Sequence, residues 1–320
     1  MVALPTTLLS PTIAAIDAHY EAHQDARHNL RLTGRMLAAE CDRRVWLEFR
    51  WAATPSEFKG HTVRANFTRD QAVQEIVQAL SDLRQSVPGL VVEQADSQTF
   101  RPFEASALDG HFFQRLQGKV TGILEAPKRV HLLYADRQRD KAFQQIRKAG
   151  LAEAAPARMP AIQLGMHLFG LERAFYVVEN KDSNEFHGER IRYDAAQAGA
   201  LMAKAERVLD AARPLPRISD DPDHWICRRC PSQTVCHGGA MALRNCRTCL
   251  HSTPVMGGDA AWRCERHGRE LSVQDQQAGC GEHLFIPDLV PGEQVDAASD
   301  GSSVTYQLAG GSTWVDGRAA

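Results

Sequence analysis

The first 226 residues of this 320-residue chain hold a single cysteine, Cys41. No apolar run approaches the ~20 residues that a membrane-spanning helix needs, so no membrane partner is expected. The opening stretch, residues 1–20, has no basic segment ahead of a clean apolar one, and the expectation is a chain without a secretory signal, cytoplasmic in location. Net charge is only −2, a balance that argues neither for nor against a polyanionic partner. No internal repeat is visible.

Charge and sulfur are unevenly placed. Residues 26–50 carry Arg27, Arg31, Arg35, Arg43, Arg44 and Arg50 against three acids, and residues 115–148 carry nine Lys and Arg against Glu125, Asp136 and Asp140. Residues 276–320 reverse the balance, with six acids and one arginine. Such segregation suits a basic groove and an acidic tail, provided the clusters converge in space; otherwise they are solvated faces. The other seven cysteines, Cys227, Cys230, Cys236, Cys246, Cys249, Cys264 and Cys280, crowd the C-terminal third. A disulfide framework belongs to short secreted chains, so metal binding is the better reading.

Periodicity predicts helices over 11–27, 39–51 and 68–85, the last with Thr68 as its cap. Strands are expected at "LVVEQ", "TFRPF", within residues 104–116, and at "RVHLLYA". A helix over 140–149 closes at Gly150; a helix at 160–171, strands "RAFYVVEN" and "FHGERIRY", and a helix over 194–213 follow. A terminal hairpin is expected around Gly310 and Gly311. Helices flanking a mixed sheet make an α/β core, placed at residues 1–240, with a Cys-rich module and the hairpin at 241–320.

Cys227, Cys230 and Cys236 place three thiols within ten residues. Zinc would take a fourth ligand from the pair Cys246 and Cys249. A cubane iron–sulfur cluster would take one from far away, and Cys41 is the distant candidate. Cys246, Cys249, Cys264 and Cys280 then form a second set of four. His267 competes with Cys280 for the last position, and His251 and His283 are near in sequence, although each histidine also reads as a solvated loop side chain.

"CDRRVW" after a helix, "SALDGHF" on a strand and "CRRCPSQTVCHGG" after the last core helix together resemble the RecB-like PD-(D/E)XK nucleases that carry an iron–sulfur cluster. These include the CRISPR-adaptation exonucleases and related phage-encoded proteins. The continuation "NCRTCLHSTP … WRCERHGREL … GCGEHLFIPDL" looks like the extra zinc-type module of the phage branch. The resemblance implies a nuclease-type core, a 4Fe-4S cluster on Cys41, Cys227, Cys230 and Cys236, and zinc on Cys246, Cys249, Cys264 and Cys280.

It also implies metal-assisted phosphodiester hydrolysis, with carboxylates holding Mg²⁺ or Mn²⁺ and a lysine positioning the nucleophile. Asp109 matches the first carboxylate, and its plain reading is a turn-forming Asp-Gly. The expected Glu-x-Lys falls on Tyr134, Ala135 and Asp136. A Gly-His motif expected on the preceding helix falls on Arg69 and Asp70, and a Gln-x3-Tyr motif falls on Ala161 and Gly165. The leading expectation is therefore a catalytically degenerate pseudoenzyme that binds DNA with low specificity, or a recombination or CRISPR-adaptation protein. One alternative is an active Mg- or Mn-dependent DNA exonuclease, with Asp109 and Asp136 sharing a cation or with Glu104, Lys119 or Glu125 recruited. The other is a non-enzymatic interaction or decoy protein.

Overall fold

The computed structural model describes residues 11–24, 28–55, 57–83, 86, 91–94, 122–126, 129–256 and 260–317, with the side chains of 81, 91–94, 122–126 and 129–130 excepted. Four helices lead the chain: α1 (Pro11–Ala22), α2 (Gly34–Leu37), α3 (Asp42–Phe49) and α4 (Gly60–Asp82). Thr33 caps α2 by accepting the Met36 amide at 3.1 Å. Cys41 occupies the cap position of α3 without making a side-chain cap hydrogen bond. Val45, Trp46, Leu47 and Phe49 of α3 are buried.

The helix expected to begin at Thr68 begins at Gly60 instead. Nothing in residues 60–67 breaks a helix, so α4 extends through Thr68, whose hydroxyl donates to the Arg64 carbonyl one turn back at 3.0 Å. Ala72, Val73, Ile76 and Val77 form its buried stripe.

Five strands form the main sheet in the order β1 (Val91–Gln94), β2 (Gly122–Ala126), β3 (Arg129–Gln138), β4 (Arg173–Asn180) and β5 (Phe186–Arg192). All neighbours are antiparallel except β3 and β4, which run parallel from Leu132 opposite Ala174 to Gln138 opposite Asn180. A parallel pair needs a crossover, supplied by α5 (Asp140–Ala149), α6 (Leu151–Ala154), a 3-10 turn (Pro156–Arg158) and α7 (Met159–Leu168). Alternation along β3 then divides the core. Leu133 and Ala135 pack with Val73, Ile76 and Val77 of α4. Leu132 and Tyr134 pack with Phe143 and Ile146 of α5, Leu151 of α6, and Ile162 and Met166 of α7. The strand expected at "TFRPF" and the one expected within residues 104–116 lie outside the described residues.

After α8 (Ala195–Asp210) come α9 (Gln233–Cys236), the antiparallel sheet β6 (Ser252–Pro254), β7 (Trp262–Cys264) and β8 (Arg269–Leu271), and α10 (Val273–Ala278). The meander β9 (Gly292–Ala297), β10 (Ser303–Leu308) and β11 (Thr313–Gly317) ends the chain. Gly310 and Gly311, both at positive φ, turn its last hairpin. Trp262, Phe285, Leu289 and Tyr306 from this region share one apolar cluster with Val45, Trp46 and Phe49 of α3 and with Leu201 and Val208 of α8. Asp42 in the first turn of α3 pairs with Lys204 and Arg207 of α8, each at 3.0 Å.

The true cap of α8 is Asp194, which accepts the amides of Ala196 and Gln197 at 2.9 and 3.0 Å. Asp194→Ala is expected to cost about 1 kcal/mol in urea denaturation. Thr68→Ala, which removes no cap, should stay within about 0.5 kcal/mol.

Candidate functional site

The end of β3 carries Tyr134 and Asp136 two residues apart, on the same face of the strand. Asp136 is the one carboxylate of β3 and is only 2% exposed. Arg158, in the turn ahead of α7, places Nη1 2.8 Å from Asp136 Oδ2. The same oxygen accepts Gln138 Nε2 at 2.9 Å and the Tyr176 hydroxyl at 3.3 Å, and Oδ1 accepts the Arg137 amide at 2.9 Å. Both carboxylate oxygens are thus engaged. Burial pushes the Tyr134 phenol up to about 12, against the opposing charge and hydrogen bond of Arg158. Burial and the Asp136 charge also raise Tyr176. Both rings are neutral at physiological pH, so Tyr134 offers no charge in place of a glutamate.

The other positions of the expected catalytic set are scattered or filled differently. Asp109, Glu104 and Lys119 lie outside the described residues, as does the side chain of Glu125. Arg69 pairs loosely with its neighbour Asp70 on α4 at 3.6 Å. Ala161 on α7 lies against α2: a Cβ on Gly34 would meet the Ala161 Cα at 2.9 Å, so close helix approach accounts for both small residues. The glutamine that α7 does carry, Gln163, donates to the Arg192 carbonyl and accepts the Asp194 amide at 2.9 and 2.8 Å. Arg158 was not singled out from the sequence, where a lone arginine between two prolines gives no sign of its partner.

All eight cysteines are free thiols. Cys227 and Cys230 flank a 3-10 turn, with the Cys230 amide donating to the Cys227 carbonyl at 3.0 Å. Cys236 ends α9. Burial raises the Cys227 thiol, and the nearby charges of Cys41 and Cys236 add to it; Cys41 likewise acts on Cys230. The charge of Cys41 thus reaches Cys227 and Cys230 across the fold.

Cys246 and Cys249 repeat the turn, with the Cys249 amide 3.1 Å from the Cys246 carbonyl. Cys264 lies in β7 opposite Ser252, and Cys280 follows the end of α10. Burial, then the charges of Cys249, Cys280 and Cys264, push Cys246 up to about 12. His267 Nε2 stands 3.7 Å from Cys280 Sγ, so the two candidates for the last ligand position are adjacent. His283 is buried and spends Nε2 on the Asn245 carbonyl at 3.0 Å. His251 is partly buried, with Nε2 lacking a hydrogen-bond partner.

Among the described residues, no group of three or more His, Cys, Asp or Glu is placed so that it could hold a metal ion. The second cysteine of each turn receives backbone hydrogen bonds that favour its thiolate, from Ser232 to Cys230 and from His251 and Leu284 to Cys249. Thiolate sulfur as a donor suits zinc or an iron–sulfur cluster better than Mg²⁺ or Mn²⁺.

No family model matches the sequence, and no curated protein matches it. Among solved structures, the crystal structure of SSO0001 is similar at 14% identity and a TM-score of 0.37, over 70% of this chain and 95% of that one. The alkaline exonuclease LHK-Exo from Laribacter hongkongensis is similar at 13% identity and a TM-score of 0.33, over 60% of this chain and 90% of its own. Its complex with dAMP gives 14% and 0.34 over the same shares. At these values the likenesses identify neither a family nor an activity.

Removing one partner of a buried ion pair strands the other charge. Arg158→Met is expected to cost about 3–5 kcal/mol in urea denaturation, and adding Asp136→Leu should recover most of that loss. A double variant as unstable as the single one would show that Arg158 acts by packing alone.

Proposed function

We propose that the chain is a PD-(D/E)XK-type, DNA-binding protein whose catalytic strand does not cut, acting in phage-type recombination or CRISPR-adaptation-related processes. The observation that carries this reading is the closed Asp136–Arg158 pair. It lies on the strand where the resemblance expects Glu-x-Lys, and a permanent monocation stands 2.8 Å from that strand's carboxylate. A divalent ion at the same oxygen would have to displace the guanidinium and two further hydrogen-bond donors. Three strands, a helical crossover and a parallel fourth strand also accord with the core that the resemblance implies. On this reading Cys41, Cys227, Cys230 and Cys236 hold a 4Fe-4S cluster that links α3 to the chain beyond α8. Cys246, Cys249, Cys264 and Cys280 hold zinc. Both groups are structural here, tying distant segments together.

The basic stretches supply fewer free cations than their sequence suggests. Arg50 is buried, Arg43 donates to the Leu215 carbonyl, Arg44 pairs with Glu48, and Arg137 pairs with Glu179. Arg139, Lys141 and Lys148 are exposed at the end of β3 and on α5. Contacts to about three phosphates give a salt slope near −3, a loss of about tenfold to a hundredfold in affinity between 50 and 200 mM salt. This thinning favours the decoy or interaction reading as the second one.

Fluorescence anisotropy with labelled single- and double-stranded DNA tests the choice. Weak, sequence-independent binding with that salt dependence is expected, further weakened in Arg139→Glu/Lys141→Glu. Absence of binding at low salt makes the chain an interaction protein. Anaerobically purified protein is expected to contain iron and zinc, with Cys41→Ala losing iron alone and Cys280→Ser losing zinc alone. Zinc retained in Cys280→Ser and lost in His267→Ala would move the fourth ligand to His267.

A further inference from the structure

Among the described residues, β5 forms one edge of the main sheet, while α4 packs mainly over β1 and β3. Alternation puts Phe186, Gly188, Arg190 and Arg192 of β5 on the α4 side of the sheet, together with Arg173 and Phe175 of β4. Arg173 lies directly opposite Arg192, and Phe175 directly opposite Arg190. A Cβ at Gly188 would meet the tip of the Phe175 ring at 2.8 Å. The ring therefore leans across the place of the missing side chain, an approach that a glycine in a strand permits. Phe186, two residues before that glycine, is 61% exposed. Two aromatic rings and three guanidiniums thus share one strip along the sheet edge.

Like charges directly opposite each other on neighbouring strands are destabilising, and no acid of this strip offsets them. Among the described residues, Arg173, Arg190 and Arg192 make no ion pair and donate no side-chain hydrogen bond. The carboxylates of β4 and β5 are engaged elsewhere. Glu179 pairs with Arg137 at 3.0 Å, and Glu189, on the opposite face, accepts the Leu151 amide at 2.7 Å. Arg190 and Arg192 stand two residues apart, roughly 6.8 Å along an antiparallel strand, an interval close to the phosphate spacing of a stretched single strand. Charged side chains also protect a sheet edge from pairing, but that role needs no aromatic ring left in water. An acidic peptide or a duplex backbone would use the arginines and leave Phe186 idle. Cations along a backbone and an aromatic face for a base are the two parts that sequence-tolerant single-strand binders combine.

We propose that this strip binds single-stranded DNA, with phosphates on Arg173, Arg190 and Arg192 and a base stacked on Phe186. The proposal rests on the DNA-binding reading above and adds to it a place and a strand preference. It is separate from Arg139 and Lys141, which lie at the end of β3 and on α5, the helix that packs on the opposite face of the sheet.

The test is fluorescence anisotropy on the full-length chain with a labelled oligo-dT strand and a duplex of the same length, with circular dichroism to check that each variant is folded. Phe186→Ala is expected to weaken single-strand binding about fivefold to a hundredfold, the loss of one base stack, and to leave duplex binding unchanged. Phe186→Tyr keeps a ring and should bind like wild type. Arg190→Gln/Arg192→Gln should make the single-strand salt slope shallower by about 1.4, the loss of two phosphate contacts. An unchanged Phe186→Ala beside a weakened arginine variant shows a bare patch of charge and overturns the proposal. Displacement of the oligonucleotide by poly-glutamate of equal charge assigns the strip to an acidic partner and overturns it as well. If Arg139→Glu/Lys141→Glu alone weakens binding, the DNA-binding reading stands and this site falls. A wild type that binds no DNA at low salt removes both.

Discussion

Asp136 is held in the protein interior by the guanidinium of Arg158, and the end of β3 is arranged around that pair. A carboxylate at 2% exposure is costly unless a cation and further donors surround it. Arg158 supplies the cation, and Gln138, Tyr176 and the Arg137 amide supply the donors. Meeting that demand fixes the turn before α7, and with it the crossover that covers this face of the sheet. The same arrangement engages both oxygens of the one carboxylate that β3 carries.

Helix α3 is the second organising element. Its first turn offers Cys41 and Asp42, the latter paired with α8. Its middle buries Trp46 and Phe49 against Trp262 and its neighbours, and its end delivers Arg50 into the Cys246–Cys249 turn. One short helix thus carries Cys41 at its start and meets the Cys246–Cys249 turn at its end.

Much of the fold was legible in local pattern. The helix over 140–149 and its stop at Gly150 follow from an apolar stripe ending at a residue with φ of 83°. The apolar run of β4 announced a buried strand over the residues it occupies. The start of α4 was not legible, because a threonine inside a helix and a threonine capping one look alike in sequence; only the backbone decides. Asp136 was noticed as a departure from a motif, but its partner lies in a different element, and packing of the crossover makes the pair. Arg50 belongs to a basic stretch of the sequence, and Arg247 carries no local sign of burial. Both lie over the ring of Trp262, brought to α3 across a long sequence separation that no local period encodes.

The central claim is that the Asp136–Arg158 pair has replaced a hydrolytic metal site. Incubating the full-length, anaerobically purified protein with single- and double-stranded DNA in Mg²⁺ or Mn²⁺ tests it most directly. The account predicts no cleavage above background and no change in that background for Asp109→Ala or Asp136→Asn. Divalent-dependent cleavage by the wild type that disappears in either variant would contradict it.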